Sequence, residues 1–343
     1  MGYETRTADL MLERPVILGL WAGALRGQLS REDKLRMHYA DCPWGQPLVE
    51  MLENDGVPVG VVAIQPRPME QHQRSISAGL LMDFAVAPSH RSVGPALKLQ
   101  RSILARGDAR FDLVYGMPND SARALSERAG MQPVGAMTRF VRVVNYGHYF
   151  EPHMPRMLAS TLGRLVDAGL SILHRSRNLF GAGKAVTWME EPCGEIDDLW
   201  KTSDTGSCVL AARDSRRLRW RFASDVARRV RYLLIRDRAK GQLEGWFACD
   251  MAHDALRVVD YWTRNATRGT HRALIDALAA AAAAIGCASV SIELLAPDVV
   301  LQSWLVAGFV ARESRPVLCR WRRELFPHST RPELMLTSAD EDE

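Results

Sequence analysis

Arg91, Gly94 and Ala96 stand in the stretch HRSVGPALKLQ, His90–Gln100, with the spacing RxxGxA. They follow an apolar run, LLMDFAVAPS, and open a helical pattern. The first amides of a helix have no carbonyl partner within it, and together with the helix dipole they form a seat for phosphate oxygens. Gly94 leaves bare backbone for close approach. Pro95, expected at the first helical position, gives up an amide that the helix does not use. Each hydrogen bond to a charged oxygen is worth about 1.5–3 kcal/mol. The chemistry on offer is capture of a phosphate or diphosphate. By itself the spacing also describes an ordinary turn, so the elements around it must decide.

Those elements are legible in order. SREDKLRMHYA places Asp33 three residues after Ser30, the start of a helix. VEMLENDGVPVGVVAIQP sets two apolar runs about Asn54, Asp55 and Gly56, a hairpin. GLLMDFAV is apolar on both faces and reads as a central strand. ALKLQRSILARG repeats apolar residues at Leu97, Leu99, Ile103 and Leu104, a helix that Gly107 closes. FDLVYGMP is a second central strand, SARALSERAG a short helix ending at Gly130, and MTRFVRVV a last strand. Helix, hairpin, strand, helix, strand, helix, strand predicts an α/β fold with a mixed sheet.

The same order returns downstream. LRMHYA, Leu35–Ala40, echoes in LRWRFA, Leu218–Ala223, at an offset of 183, and the frame GVPVGVVAI echoes in GQLEGWFAC at 185. Asp83 and Asp260 are 177 apart, Ala96 and Ala273 likewise, and AGM at Ala129–Met131 matches AGF at Ala307–Phe309 at 178. Two tandem copies of one fold are expected. The layout is a first domain over 1–146, a linker helix over 147–183 with Leu158, Leu162, Leu165, Val166 and Leu173 on one face, a second domain over 184–327, and an acidic tail over 328–343. The tail ends in SADEDE and is expected to be disordered.

A central strand, an RxxGxA loop, a helix, a second strand and PNDSARALSERAGM in this order resemble the GNAT superfamily of acyl-CoA N-acyltransferases. Asn119, Ala122, Gly130 and Met131 stand at that family's spacings, and the resemblance covers Ser30 to about Val144. It implies two tandem GNAT-like domains and acetyl-CoA or another acyl-CoA as co-substrate, with no metal. It also implies direct attack of an amine on the thioester. On it, Phe84, Ala85 and Val86 would receive the pantetheine arm, with the amide near Val86 polarising the thioester carbonyl. Arg91, Ser92, Val93, Gly94, Pro95 and Ala96 would hold the diphosphate, and Asn119 would contact the pantetheine or fix the second strand. Asp83 is the best-placed carboxylate for a base, and equally a partly buried structural aspartate paired with an arginine or capping a neighbouring element. The tyrosine that the family often carries seven residues after its asparagine, as acid for the leaving thiolate, is replaced by Ser126, which leaves Tyr115 or water for that role.

The second half departs further from the family. Counting 177 from Gly94 gives His271, and Asp298 replaces Asn119, so this copy is expected to keep the fold without the cofactor.

Other classes are weighed on composition. The chain has 343 residues, 47% hydrophobic, with 44 basic against 40 acidic residues. Its six cysteines are scattered without any CxxC or metal spacing, which reads as a reduced, cytoplasmic protein without structural zinc. No uncharged apolar span reaches membrane length. Ten arginines between Arg213 and Arg238, interleaved with Trp220 and Phe222, fit a nucleic-acid backbone. They fit better a helix with arginines solvated and aromatics inward, or a lure for an acidic or sugar acceptor. The expected function is N-acyl transfer to a small-molecule amine. The alternatives are a non-catalytic acyl-CoA-binding scaffold and, last, a nucleic-acid binder.

Overall fold

The hairpin forms as its sequence predicts. Strand β2 (Leu48–Asn54) turns into β3 (Val57–Pro66) through Asp55 at φ 49° and Gly56 at φ 79°, two left-handed residues that suit a tight turn between twisted strands. In this computed structural model the described residues are 2–25, 29–145, 183–222, 229–252, 254–322 and 331–342. The expected linker helix over 147–183 lies outside them, Gly183 apart.

The first lobe runs β1 (Tyr3–Thr7), α1 (Arg14–Ala22), α2 (Arg31–Leu35) with a wide turn over Arg36–Ala40, then β2 and β3. It continues through β4 (Met69–Gln71), β5 (Arg74–Ile76), β6 (Ala78–Val86), α3 (Val93–Arg110), β7 (Leu113–Gly116), α4 (Asp120–Arg128) and β8 (Gln132–Val143). The second lobe runs β9 (Lys184–Met189), α5 (Gly194–Thr202), β10 (Leu210–Ala211), α6 (Ser215–Phe222), β11 (Arg231–Asp237) and β12 (Leu243–Ala252). After them come β13 (Ala255–Thr263), α7 (Arg272–Ala284), β14 (Ser289–Leu295), α8 (Asp298–Val306), β15 (Val310–Trp321) and β16 (Leu336–Thr337).

One sheet holds thirteen strands in the order β1-β2-β3-β6-β7-β15-β8-β14-β13-β12-β11-β9, with β16 added on β14. The order reads the same from both ends when each strand is replaced by its counterpart, as a duplicated unit requires. A finer trace of the duplication is the close approach at Gly60 and Gly245. An added Cβ would meet the Ala85 carbonyl at 3.2 Å in the first lobe and the Trp262 carbonyl at 3.2 Å in the second.

Two expectations change here. The lobes are not self-contained at 146 and 184, because their last strands are exchanged. β15 pairs with β7 of the first lobe (Leu318↔Gly116 to Trp321↔Leu113), β8 pairs with β14 of the second (Ser289↔Val143 to Leu294↔Thr138), and the two pair with each other. Alternating strands satisfy either neighbour, so their own sequences cannot choose between them. Secondly, Gly107 does not close α3, which continues to Arg110. It is a packing residue: a Cβ there would come within 2.9 Å of Ile64 on β3.

Helix α3 covers one face of the first lobe with Leu99, Ile103 and Leu104 on Val62, Ile64 and Val114. Helix α1 covers the other with Ile17 and Trp21 above Met51, Val61 and Tyr115. Helix α2 begins as expected, with the Asp33 amide donating to Ser30 Oγ at 3.0 Å. No described helix is long and apolar enough to cross a membrane.

Candidate functional site

Strands β6 and β7 run parallel and pair only from Ala78↔Leu113 to Leu80↔Tyr115. β6 continues to Val86, so its edge from Leu81 to Val86 has no ladder partner on that side among the described residues. The cause is local. On the β3 side Ala63 faces Met82 and Val61 faces Ala85, which leaves Asp83 and Phe84 opposite Val62 as a bulge, with Asp83 at φ 55°. A bulge bends its strand, and the pair opens into a V at Phe84, Ala85 and Val86.

The chain then passes a short 3₁₀ turn, Pro88–His90, and enters α3 with Ser92 as N-cap. Pro95 is therefore the third helical residue and not the first, though still within the turn whose amides the helix leaves spare. The amides of Arg91, Ser92 and Ala96 bond the carbonyls of Pro88, His90 and Ser92. Helix geometry leaves those of Val93 and Gly94 without a helical carbonyl. A Cβ on Gly94 would meet nothing within 4 Å, so bare backbone faces open space there. The residues present fit a diphosphate at this point. Arg91 acts as a brace: its Nε donates to the Val86 carbonyl at 2.8 Å and its Nη2 to the Gly23 carbonyl at 2.7 Å. Asn119 caps α4, its Oδ1 accepting from the Ala122 amide at 3.0 Å.

No protein-family model and no curated protein matches the chain. Solved structures do. A GCN5-related N-acetyltransferase from Kribbella flavida aligns at a TM-score of 0.61 and 15% identity, over 93% of this chain and 71% of that one. A conserved protein of unknown function from Enterococcus faecalis V583 aligns at 0.66 and 11%, over 94% and 73%. A tandem GNAT protein from the clavulanic acid biosynthesis pathway aligns at 0.50 and 11%, over 94% and 99%. The fold is a tandem GNAT fold.

On the α1 side of the first GNAT lobe, Asp83 is buried. It accepts from the Tyr39 hydroxyl at 2.6 Å and is ion-paired with Lys34 Nζ at 2.6 Å. Burial pushes its carboxyl up, while Lys34 favours the charged form. Its ionic partner is thus a lysine and not the arginine that the structural reading of Asp83 names first. Tyr115 is fully buried and its hydroxyl donates to the Asp340 carbonyl at 2.9 Å; burial raises its pKa, so it holds its proton. Ser126 is buried on α4, where its hydroxyl accepts from Gln100 Nε2 of α3 at 2.8 Å. The structure thus brings Asp83 and Tyr115 to the V and ties Ser126 to α3.

The C-terminal segment is a correction. Expected to be disordered, it is buried: Thr337 and Asp340 are both 0% exposed. In the second GNAT lobe β13 and β14 part after Val258↔Ile292, and β16 pairs with β14 at Leu294↔Thr337 and Leu295↔Leu336. The opposite edge of β14 holds β8 at Leu294↔Thr138, so β16 lies in the gap that β13 vacates. Asp340 follows as the centre of an ion network, with Arg213 Nη2 at 2.7 Å and Arg217 Nη2 at 2.6 Å, while Arg213 Nε also meets Asp260 at 2.9 Å. Against the burial that disfavours its charge, the two arginines hold Asp340 below the usual carboxylate range. Burial pushes Asp260 up to about 6. The arginine run is therefore only in part a solvated face: Arg216, Arg219, Arg229 and Arg238 are exposed, whereas Arg213, Arg217 and Arg221 are at most 2% exposed. Acidic tail and basic run were each read as solvated because each lacks its partner in sequence.

The second lobe also differs from its expected alignment. His271 is the N-cap of α7, exposed, its Nδ1 accepting from the Ala273 amide at 3.3 Å. It does not stand at the glycine position; it occupies an amide that a phosphate would need. Pro297 and not Asp298 is the N-cap of α8, the counterpart of Asn119.

Between the lobes, β10 pairs with β4 (Leu210↔Glu70, Ala211↔Met69) and a cleft of about 220 Å³ opens beside them. Its walls include Trp44, Glu70, Asp214 and Arg217, and burial together with Asp214 raises Glu70. Lys34, Tyr39 and Asp340 were missed from sequence. One signal was present: the residues preceding the echoed LRMHYA and LRWRFA are Lys34 and Arg217, both cations, and both meet the tail, at Asp342 (3.2 Å) and at Asp340. Another was TSAD, Thr337–Asp340, the spacing of a capping box, which forms.

Proposed function

We propose that the chain transfers an acyl group, acetyl in the simplest case, from an acyl-CoA to the amine of a small molecule, amino sugar or peptide. Only the first lobe would take the donor. The observation that carries this is the contrast between two equivalent strand pairs. Both part within one residue of the same place, and the chain's own C-terminal strand fills the parting in the second lobe.

The amides of Val93 and Gly94 would take the diphosphate, with Arg91 fixing the loop to the end of β6. The free edge of Phe84, Ala85 and Val86 would take the pantetheine arm. A bound thioester supplies the activated acyl group. An amine with a pKa near 10.4 is almost wholly protonated at neutral pH, so it must shed a proton. Asp83 is the candidate acceptor. Its raised pKa makes it a stronger base than a free carboxylate, and Lys34 keeps it ionised. Tyr115 commits its proton to a carbonyl and Ser126 faces α3. The leaving thiolate would then take its proton from water.

Calorimetry with acetyl-CoA tests donor binding. Arg91→Glu and Gly94→Trp should each weaken it at least tenfold, and unchanged affinity in both would remove the loop assignment. Thiol release across an amine panel tests turnover. The pairing of Asp83 with Lys34 also favours a second reading, acyl-CoA binding without transfer, which predicts binding with no release.

A further inference from the structure

Cations and rings alternate beneath the interlobe cleft. The Arg217 guanidinium lies 5.6 Å from the Trp44 ring centre, Trp44 meets Trp220 edge-on at 4.6 Å, and the Arg67 guanidinium lies over Trp220 at 4.5 Å. His38 meets Trp220 edge-on at 5.9 Å. Arg217 is neutralised by Asp340. Arg67 has no carboxylate within salt-bridge reach among the described residues.

Arg67 is 0% exposed, and its Nη2 donates to the Glu341 carbonyl at 3.1 Å. Its Nε and Nη1 find no acceptor among the described residues. Beside it, His38 is equally buried, Gln65 Nε2 lies 3.5 Å from its Nδ1, and its Nε2 has no partner among the described residues. Burial, with Arg67, Arg221 and Lys34 nearby, holds this ring well below its ordinary pKa, so it is neutral. Burial also draws Arg67 down to about 9. A guanidinium withdrawn from water without a counter-ion is a large cost, and the contact with Trp220 offsets only part of it. An arriving anion would satisfy the idle donors and cancel the charge together. The cleft supplies the approach, since its wall includes Trp44, Arg217 and Pro68, the residue after Arg67.

We propose that Arg67, together with His38 Nε2, receives an anionic group, a carboxylate or a phosphate, carried by the amine acceptor. Only the word acceptor rests on the acyl-transfer reading, because anion binding can be measured without acyl-CoA. The full chain is titrated separately with acetate and with inorganic phosphate at constant ionic strength, following thermal unfolding. A saturable rise in Tm with one of them is expected, and the arm that responds identifies the anion. Arg67→Met should abolish the response and unfold no earlier than wild type in anion-free buffer, since it removes an uncompensated buried charge. Should that variant fail to fold, Arg67→Lys, which keeps the charge but loses the planar donors, should weaken the anion at least tenfold. A wild-type Tm indifferent to both anions overturns the proposal, as does an Arg67→Met protein that keeps the response. In the thiol-release assay, β-alanine or phosphoethanolamine should exceed ethanolamine at least tenfold in kcat/KM, and Arg67→Met should erase the preference. Turnover without preference overturns the anion site and leaves acyl transfer standing. Anion binding without turnover of any amine does the reverse.

Discussion

Asp340→Ala removes the one carboxylate that Arg213 and Arg217 share. Both arginines are at most 2% exposed, so neither can turn to water when the partner is lost. Removing one member of a buried ion pair costs about 3–5 kcal/mol, because the remaining charge stays desolvated. Arg213 keeps Asp260, whereas Arg217 is left without a carboxylate within salt-bridge reach among the described residues. The Thr337 amide also loses the acceptor that closes its capping box at 2.8 Å. At about 2–4 °C per kcal/mol, Tm should fall by about 6–20 °C. The sign of the pH dependence follows from the direction of the shift. Asp340 is held below its unfolded value, so its contribution is complete above about pH 3.9 and is lost as pH falls through the lower folded value. The gap between wild type and variant should therefore be constant near neutrality and close only in strong acid. Thermal unfolding of wild type, Asp340→Ala, Arg217→Met and the double variant forms the cycle, with a coupling of about 1–3 kcal/mol expected. A Tm within 1 °C of wild type for Asp340→Ala, or strict additivity in the cycle, would refute a tail built into the core.

Other outcomes are equally direct. Gly94→Trp should leave Tm within about 2 °C, since a side chain there meets open space, yet raise the Kd for acetyl-CoA at least tenfold by calorimetry. Asp83→Asn should keep the fold, because asparagine tolerates the left-handed backbone at φ 55°, while lowering kcat at least tenfold with little change in KM for acetyl-CoA. His38 is held neutral in the fold, so the unfolded chain binds the extra proton and the His38 contribution to stability should fall as pH drops below about 6.5, opposite in sign to that of the raised Asp260. His38→Gln should flatten that slope in a Tm series from pH 7 to 5, and an unchanged slope would place its cause elsewhere.

Much of the candidate site was legible because its parts are local. Ser92, Gly94 and Pro95 shape a helix start through their own backbone preferences, and Asn119 caps α4 with its own side chain. The duplication was legible too, since Gly60 and Gly245 answer the same packing demand in each copy. The bulge at Asp83 was not, because its left-handed backbone arises from a register shift against β3 and aspartate carries only a weak local preference for it.

Element order, the glycine-bearing loop at the start of α3 and the twofold repeat belong to the amino-acid sequence alone, since each follows from periodicity or backbone preference within a few residues. Which lobe receives β8 and β15, and where the acidic tail and the buried arginines meet, were decided only in three dimensions. Charges separated by 123 residues, Arg217 and Asp340, appear solvated in a linear reading. They become core residues once folding brings them within 2.6 Å and removes the water between them.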